Sequence, residues 1–164
     1  MSHTNAEVIE RFYAAFARRD GQAMTDCYAP GATFGDPVFT DLVNAEPGAM
    51  WRMLTSRADD LEIELVDHEA GEETGTARWL ADYTFSQTGR TVHNDVQASF
   101  RFRDGKILEH RDRFSFYAWA RQALGPAGLA LGWTPVLRAA TRKKARSGLD
   151  EFMSREDREQ VQGA

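Results

Sequence analysis

The chain has 164 residues and a mass of 18.5 kDa, enough for one ordinary domain with an appendage. With 42% hydrophobic and 11% aromatic residues it can bury a sizeable core, which excludes general disorder. Its 20 basic and 25 acidic residues, net −5, argue against nucleic acid as the main partner. The one cysteine, Cys27, excludes an internal disulfide framework or a cysteine-based zinc site. No run approaches the roughly 18 apolar residues of a membrane span, and no basic-then-apolar export signal opens the chain, so a cytoplasmic protein is expected.

Thr4-Asn5-Ala6-Glu7 reads as a capping box, followed by Ile9, Phe12, Tyr13 and Phe16 at helical spacing. A short second helix is expected from Gln22 to Tyr28, then a strand through Thr33 to Phe39 bent at Pro37. Pro47 suits a first helical position, and Met50, Trp51, Met53 and Leu54 supply the apolar stripe of a third helix. From Leu61 the period changes to two, giving strands at about 61–69, 75–86, 91–103 and 106–117. Helices followed by a meander predict an α+β domain over 1–117 whose curved antiparallel sheet wraps around helices.

Turn chemistry predicts which side chains share a face. A two-residue Thr88-Gly89 hairpin sets Phe85 opposite Val92, Tyr83 opposite Asn94, Trp79 opposite Ala98, and places Val96 on the same surface. For the next hairpin, a three-residue Arg103-Asp104-Gly105 loop brings His110 and Asp112 onto that apolar face. A two-residue loop would instead send them to the side of His93 and Asp95, where two imidazoles and two carboxylates could hold a metal. The three-residue loop keeps the face coherent and is preferred, so no metal is expected. Tyr83, Asn94, His110 and Asp112 then intrude on a concave apolar surface, either as a self-satisfied network or as working groups. Trp51, Trp79, Phe34 and Phe114 line a pocket there or fill the core.

Four stretches, in this order and spacing, carry a resemblance: Ile9 to Phe16 with Asp20, Tyr28 to Phe34, the Asp36-Pro37 pair, and Phe100 to Asp112. They resemble the nuclear transport factor 2-like superfamily, a cone-shaped α+β fold, and within it the SnoaL-like polyketide cyclase and ketosteroid isomerase-like group. The resemblance covers residues 4–117 and implies a small apolar ligand, no cofactor, and a homodimer through the outer sheet face. Asp36 matches the proton-shuttling aspartate of ketosteroid isomerase, an enzyme that sets acid and base groups together in an apolar pocket. Its oxyanion-binding tyrosine aligns with Phe12, beside Tyr13, and its second aspartate with Ala98, so both recognised donors are unmatched. Similarity to the SnoaL-like group points to His110 and Asp112 for acid–base work, with Asp36 across the cavity.

The function this implies is cofactor-free acid–base chemistry on a carbonyl compound, of isomerase, dehydratase or cyclase type. A non-catalytic ligand-binding or protein-interaction module is the alternative, and epoxide hydrolysis between Asp36 and Asp112 a third. For Asp36 alone, the plain structural alternative is a turn residue capping local amides before proline.

Residues 1–116 carry 12 basic and 20 acidic side chains, whereas 117–164 carry 8 and 5. The tail, 118–164, is read as a helical extension whose basic helix spans about 135–153, with Arg138, Arg142 and Arg146 four apart. Packing on its own acidic domain or a dimer mate is preferred to contact with an anionic membrane. Glu156 to Ala164 is expected to fray.

Overall fold

The computed structural model describes residues 4–163. Two helices, α1 (Asn5–Ala17) and α2 (Gly21–Thr25), lead into β1 (Tyr28–Gly35), β2 (Leu42–Val43) and α3 (Glu46–Arg57). The meander follows as β3 (Glu62–Ala70), β4 (Thr74–Phe85), β5 (Arg90–Arg103) and β6 (Lys106–Arg113). The chain closes with α4 (Phe116–Leu124), α5 (Pro126–Leu131) and α6 (Pro135–Gln162). Six strands form one sheet in the order β2-β1-β6-β5-β4-β3, antiparallel except where β1 runs parallel to β6. The expected α+β architecture of helices held in a curved sheet is what forms.

α1 starts where the capping box places it: the Glu7 amide donates to Thr4 Oγ1 (3.2 Å) and the Thr4 amide to Glu7 Oε2 (2.7 Å). Its apolar stripe, Ile9, Phe12, Tyr13 and Phe16, is buried against the sheet together with Met50, Trp51 and Met53 of α3. α2 stops at Thr25, and β1 begins at Tyr28, earlier than the expected strand.

Both hairpins depart from the expected turns. Phe85 pairs with Arg90, so the β4–β5 loop has four residues and Tyr83 lies opposite Val92, Trp79 opposite Val96 and Ala77 opposite Ala98. A two-residue loop would require positive φ at both Thr88 and Gly89. Only Gly89 takes it (φ 72°), because a β-branched threonine is strained there. Aspartate tolerates that region far better. Asp104 (φ 53°) and Gly105 (φ 75°) therefore form a two-residue turn, with Arg103 paired to Lys106.

By itself that turn would put His110 on the convex side. A β-bulge at Leu108 corrects it: Phe102 pairs with Ile107, Arg101 with Glu109, and the extra residue restores the phase. His110 thus lies opposite Phe100 and Asp112 opposite Ala98. The expected face is right and the expected loop is not. His93 and Asp95 point to the opposite side, so the four potential metal ligands stay apart. The convex face carries charged pairs, Arg78–Asp95 (2.7 Å), His93–Asp82 (2.7 Å) and Arg101–Glu109 (3.3 Å). A cavity of about 600 Å³ lies there, between Glu69, Thr76, Ser99, Arg101 and Arg111.

The extension folds back on its own domain. Arg52 on α3 grips Glu156 on α6 through two bonds of 2.8 Å, Arg146 pairs with Glu46, and Leu149 is fully buried. α6 runs to Gln162 instead of fraying from Glu156; Ala164 lies outside the described residues. No described helix is long and apolar enough to cross a membrane.

Candidate functional site

β6 delivers His110 and Asp112 to the concave face, where neither has appreciable exposure (0% and 5%). His110 is walled by aromatic rings, with centroids of Phe100 at 4.5 Å, Phe34 at 4.9 Å and Phe12 at 5.5 Å. Both of its nitrogens are engaged: Nε2 lies 2.9 Å from Asp112 Oδ1, and Nδ1 lies 2.8 Å from the Tyr28 hydroxyl. Trp51 Nε1 in turn donates to that hydroxyl oxygen at 2.8 Å.

Donor chemistry assigns the protons in this chain. An indole N–H can only donate, so the Tyr28 oxygen accepts from Trp51, which leaves its own hydrogen available to His110 Nδ1. With Nδ1 accepting in this way, Nε2 carries a hydrogen and donates to Asp112 Oδ1. Burial pushes the Tyr28 hydroxyl well above its ordinary range, which keeps that donor protonated. Asp112 Oδ2 takes no hydrogen bond from the described residues.

Asp36 sits in the bend after β1. Its Oδ1 accepts from the amides of Val38 (2.7 Å) and Phe39 (2.6 Å), and its own amide donates to the Phe39 carbonyl (2.8 Å). This is the local turn that an aspartate before proline favours. Because both amides fall on Oδ1, Oδ2 stays open. Burial, opposed by those amides and reinforced by the Asp112 charge, raises the carboxyl from the usual 3.8 to about 7. α6 holds the bend from outside, as Arg142 Nε donates to the Pro37 carbonyl at 3.0 Å.

Asp36 also acts on Tyr83, whose hydroxyl is raised by burial and, more weakly, by the Asp36 charge. Trp119 of α4 donates its N–H to the Tyr83 oxygen at 2.9 Å, so the Tyr83 hydrogen remains available to a further acceptor. Two deeper polar atoms have no partner among the described residues, Tyr13 Oη and Trp79 Nε1. Their rings lie 5.8 Å apart, and burial, with the Asp112 charge adding to it, raises the Tyr13 hydroxyl well above its ordinary range.

Asp36, Asp112, Tyr83 and Tyr13 therefore form one electrostatic neighbourhood. The remaining predicted residues divide: Phe12, Phe34 and Val96 are fully enclosed and Trp51 and Ala98 nearly so. Asn94 and Phe114 are half-buried, and Asn94 makes no side-chain hydrogen bond among the described residues. Tyr28 and Trp119 escaped the sequence reading of the site. The usable signal for Tyr28 was that a buried histidine needs two partners and Asp112 supplies one. Among the described residues no three His, Cys, Asp or Glu side chains converge as metal ligands.

A sequence model of the SnoaL-like domain matches residues 9–110, more than half of the chain. The chain belongs to the SnoaL-like family. No curated protein matches this SnoaL-like chain. Among solved structures, it is similar to a protein of ketosteroid isomerase-like fold from Catenulispora acidiphila, in complex with trimethylamine. That pair has a TM-score of 0.65 and 17% identity, covering 81% of this chain and 100% of the other. IdmH of Streptomyces antibioticus, a candidate polyketide cyclase, has a TM-score of 0.59 and 22% identity, with 71% and 96% covered. A candidate polyketide cyclase from Pseudomonas putida has a TM-score of 0.62 and 18% identity, with 74% and 98% covered. At these identities the likeness establishes the nuclear transport factor 2-like fold, and function has to be argued from the site.

Proposed function

We propose that this SnoaL-like protein binds a small apolar carbonyl compound and performs cofactor-free acid–base chemistry on it, of isomerase or cyclase type. The observation that carries the reading is the open Oδ2 of Asp36 on a carboxyl raised to about 7. Such a group is basic enough to take a proton from carbon and acidic enough to return it near neutral pH.

In the forward step the C–H bond beside the carbonyl breaks and an O–H bond forms at Asp36 Oδ2. The electron pair moves onto the carbonyl oxygen, where Tyr83 Oη–H, oriented by Trp119, is the donor. Return of the proton to a second carbon completes an isomerisation; attack of the enolate on a second carbonyl, whose oxygen takes the proton back from Asp36, completes a cyclisation. His110 does not touch the substrate in this scheme. It positions Asp112, whose charge keeps the Asp36 carboxyl basic.

Incubation with apolar ketones and enones in D₂O, followed by NMR, tests the reading. Deuterium uptake at the carbon beside the carbonyl is expected for the wild type and not for Asp36→Asn. Binding seen by thermal shift with no uptake in any compound would favour the non-catalytic alternative. That alternative is supported by the inner His110 network, in which every ring nitrogen is already satisfied. A homodimer through the convex sheet face belongs to the same reading and is tested by sedimentation velocity.

A further inference from the structure

The described residues expose seven large apolar side chains, and four of them fall within eight positions at the junction of α5 and α6. Leu129 is 56% exposed, Leu131 51%, Trp133 71% and Val136 79%. We infer that this junction is a docking tip for the surface of an anionic lipid bilayer.

The tip is held in place by its backbone. The Gly132 amide donates to the Gly128 carbonyl (2.8 Å), and Thr134 Oγ1 donates to the Leu131 carbonyl (2.6 Å) while accepting from the Leu137 amide (3.3 Å). Trp133 Nε1 donates to the Ala130 carbonyl at 3.1 Å, which fixes the indole outward. At Gly128 a Cβ would overlap the Ala120 carbonyl, so α5 seats closely on α4 and the apolar side chains are presented on a fixed base. Exposed apolar area of this kind is unfavourable in water unless something covers it.

Charge selects the occupant. No acidic residue occurs between Asp112 and Asp150, whereas seven basic ones do. Arg142 and Arg146 are turned to the domain, and Arg138 lies over the Phe116 ring at 5.3 Å. Arg121, Lys143 and Lys144 are exposed and make no ion pair among the described residues. Lys143 stands seven residues from Val136 on α6, hence on the same helix stripe, so free cations border the apolar tip. Leucine and tryptophan at the acyl–headgroup boundary with lysine and arginine at the anionic headgroups is the composition of an interfacial anchor. A two-fold contact between copies would set this basic border against itself.

Co-sedimentation of the full chain with vesicles tests the inference. Phosphatidylcholine vesicles with about one third phosphatidylserine are expected to bind the wild type at least ~10-fold more tightly than phosphatidylcholine alone. The pair Leu131→Ser and Trp133→Ser, and separately Lys143→Glu with Lys144→Glu, should each weaken binding at least ~10-fold while leaving Tm within about 2 °C. Three results overturn it: no binding to the acidic vesicles, binding unaffected by both sets of substitutions, or a wild-type dimer that Trp133→Ser converts to monomer with no vesicle binding.

Discussion

Trp119 Nε1 and Tyr83 Oη are joined by a 2.9 Å hydrogen bond that ties α4 to β4. Since the indole can only donate, this bond decides that the tyrosine hydrogen points elsewhere. Trp119→Phe should keep the ring contacts with Phe85 (5.4 Å) and Phe116 (5.8 Å) and lose about 1 kcal/mol of stability. Turnover should fall about 10-fold, and the loss should vanish in a Tyr83→Phe background, as a double-mutant cycle would report. Equal losses in both backgrounds would sink the positioning role.

The raised Asp36 carboxyl couples stability to pH. A folded value above the unfolded one means that the native state prefers the protonated form. That preference stabilises fully below about pH 4 and is lost as pH rises through about 7. Asp36→Asn keeps the Oδ1 acceptor and removes the charge. It should therefore be more stable than wild type at pH 8, with a shift of about 3 units setting a ceiling of about 4 kcal/mol. Near pH 4 the two should converge. Urea titrations at both pH values measure this, and wild-type turnover should rise with pH through about 7 because the base must be ionised.

Tyr28 is the joint between Trp51 and His110, so its loss orphans two buried groups together. Tyr28→Phe leaves Trp51 Nε1 and His110 Nδ1 unpaired, each costing about 1–3 kcal/mol. Trp51→Phe leaves the Tyr28–His110 bond in place and should cost less for its polar part. Chemical denaturation of both variants gives the ranking, and the reverse order would refute the role of Tyr28 as the joint between the two groups.

Tyr13 Oη and Trp79 Nε1 are buried donors without partners among the described residues. In ligand-free protein Tyr13→Phe should raise stability by about 1 kcal/mol, since it removes an unmet polar group. The same substitution should weaken binding of a ligand that, held at Asp36 and Tyr83, also reaches the Tyr13 hydroxyl. A thermal-shift series with and without ligand reads both effects, and a destabilised apo variant would mean that the hydroxyl is already satisfied by ordered water.

Much of this architecture is written locally. The Thr4–Glu7 box and the spacing of Ile9, Phe12, Tyr13 and Phe16 are enough to start and orient α1. The face shared by Ala77, Trp79, Val96 and Ala98 follows from a period of two. Side-chain direction repeats every second residue, so the four-residue β4–β5 loop slipped the expected pairing by two positions without moving any residue to the other face.

What local pattern did not carry is who meets whom. The bulge at Leu108 is set by the competition between the Asp104-Gly105 turn and burial of the β6 apolar face, and only the assembled sheet resolves it. Tyr28 reaches His110 across 82 positions and Trp119 reaches Tyr83 across 36. The sequence by itself determined the fold and the candidacy of Asp36. Tertiary packing alone decided the inward phase of His110 and Asp112, the hydrogen-bond chain through Trp51, Tyr28 and His110, and the open oxygen of Asp36, because those depend on partners brought from other elements.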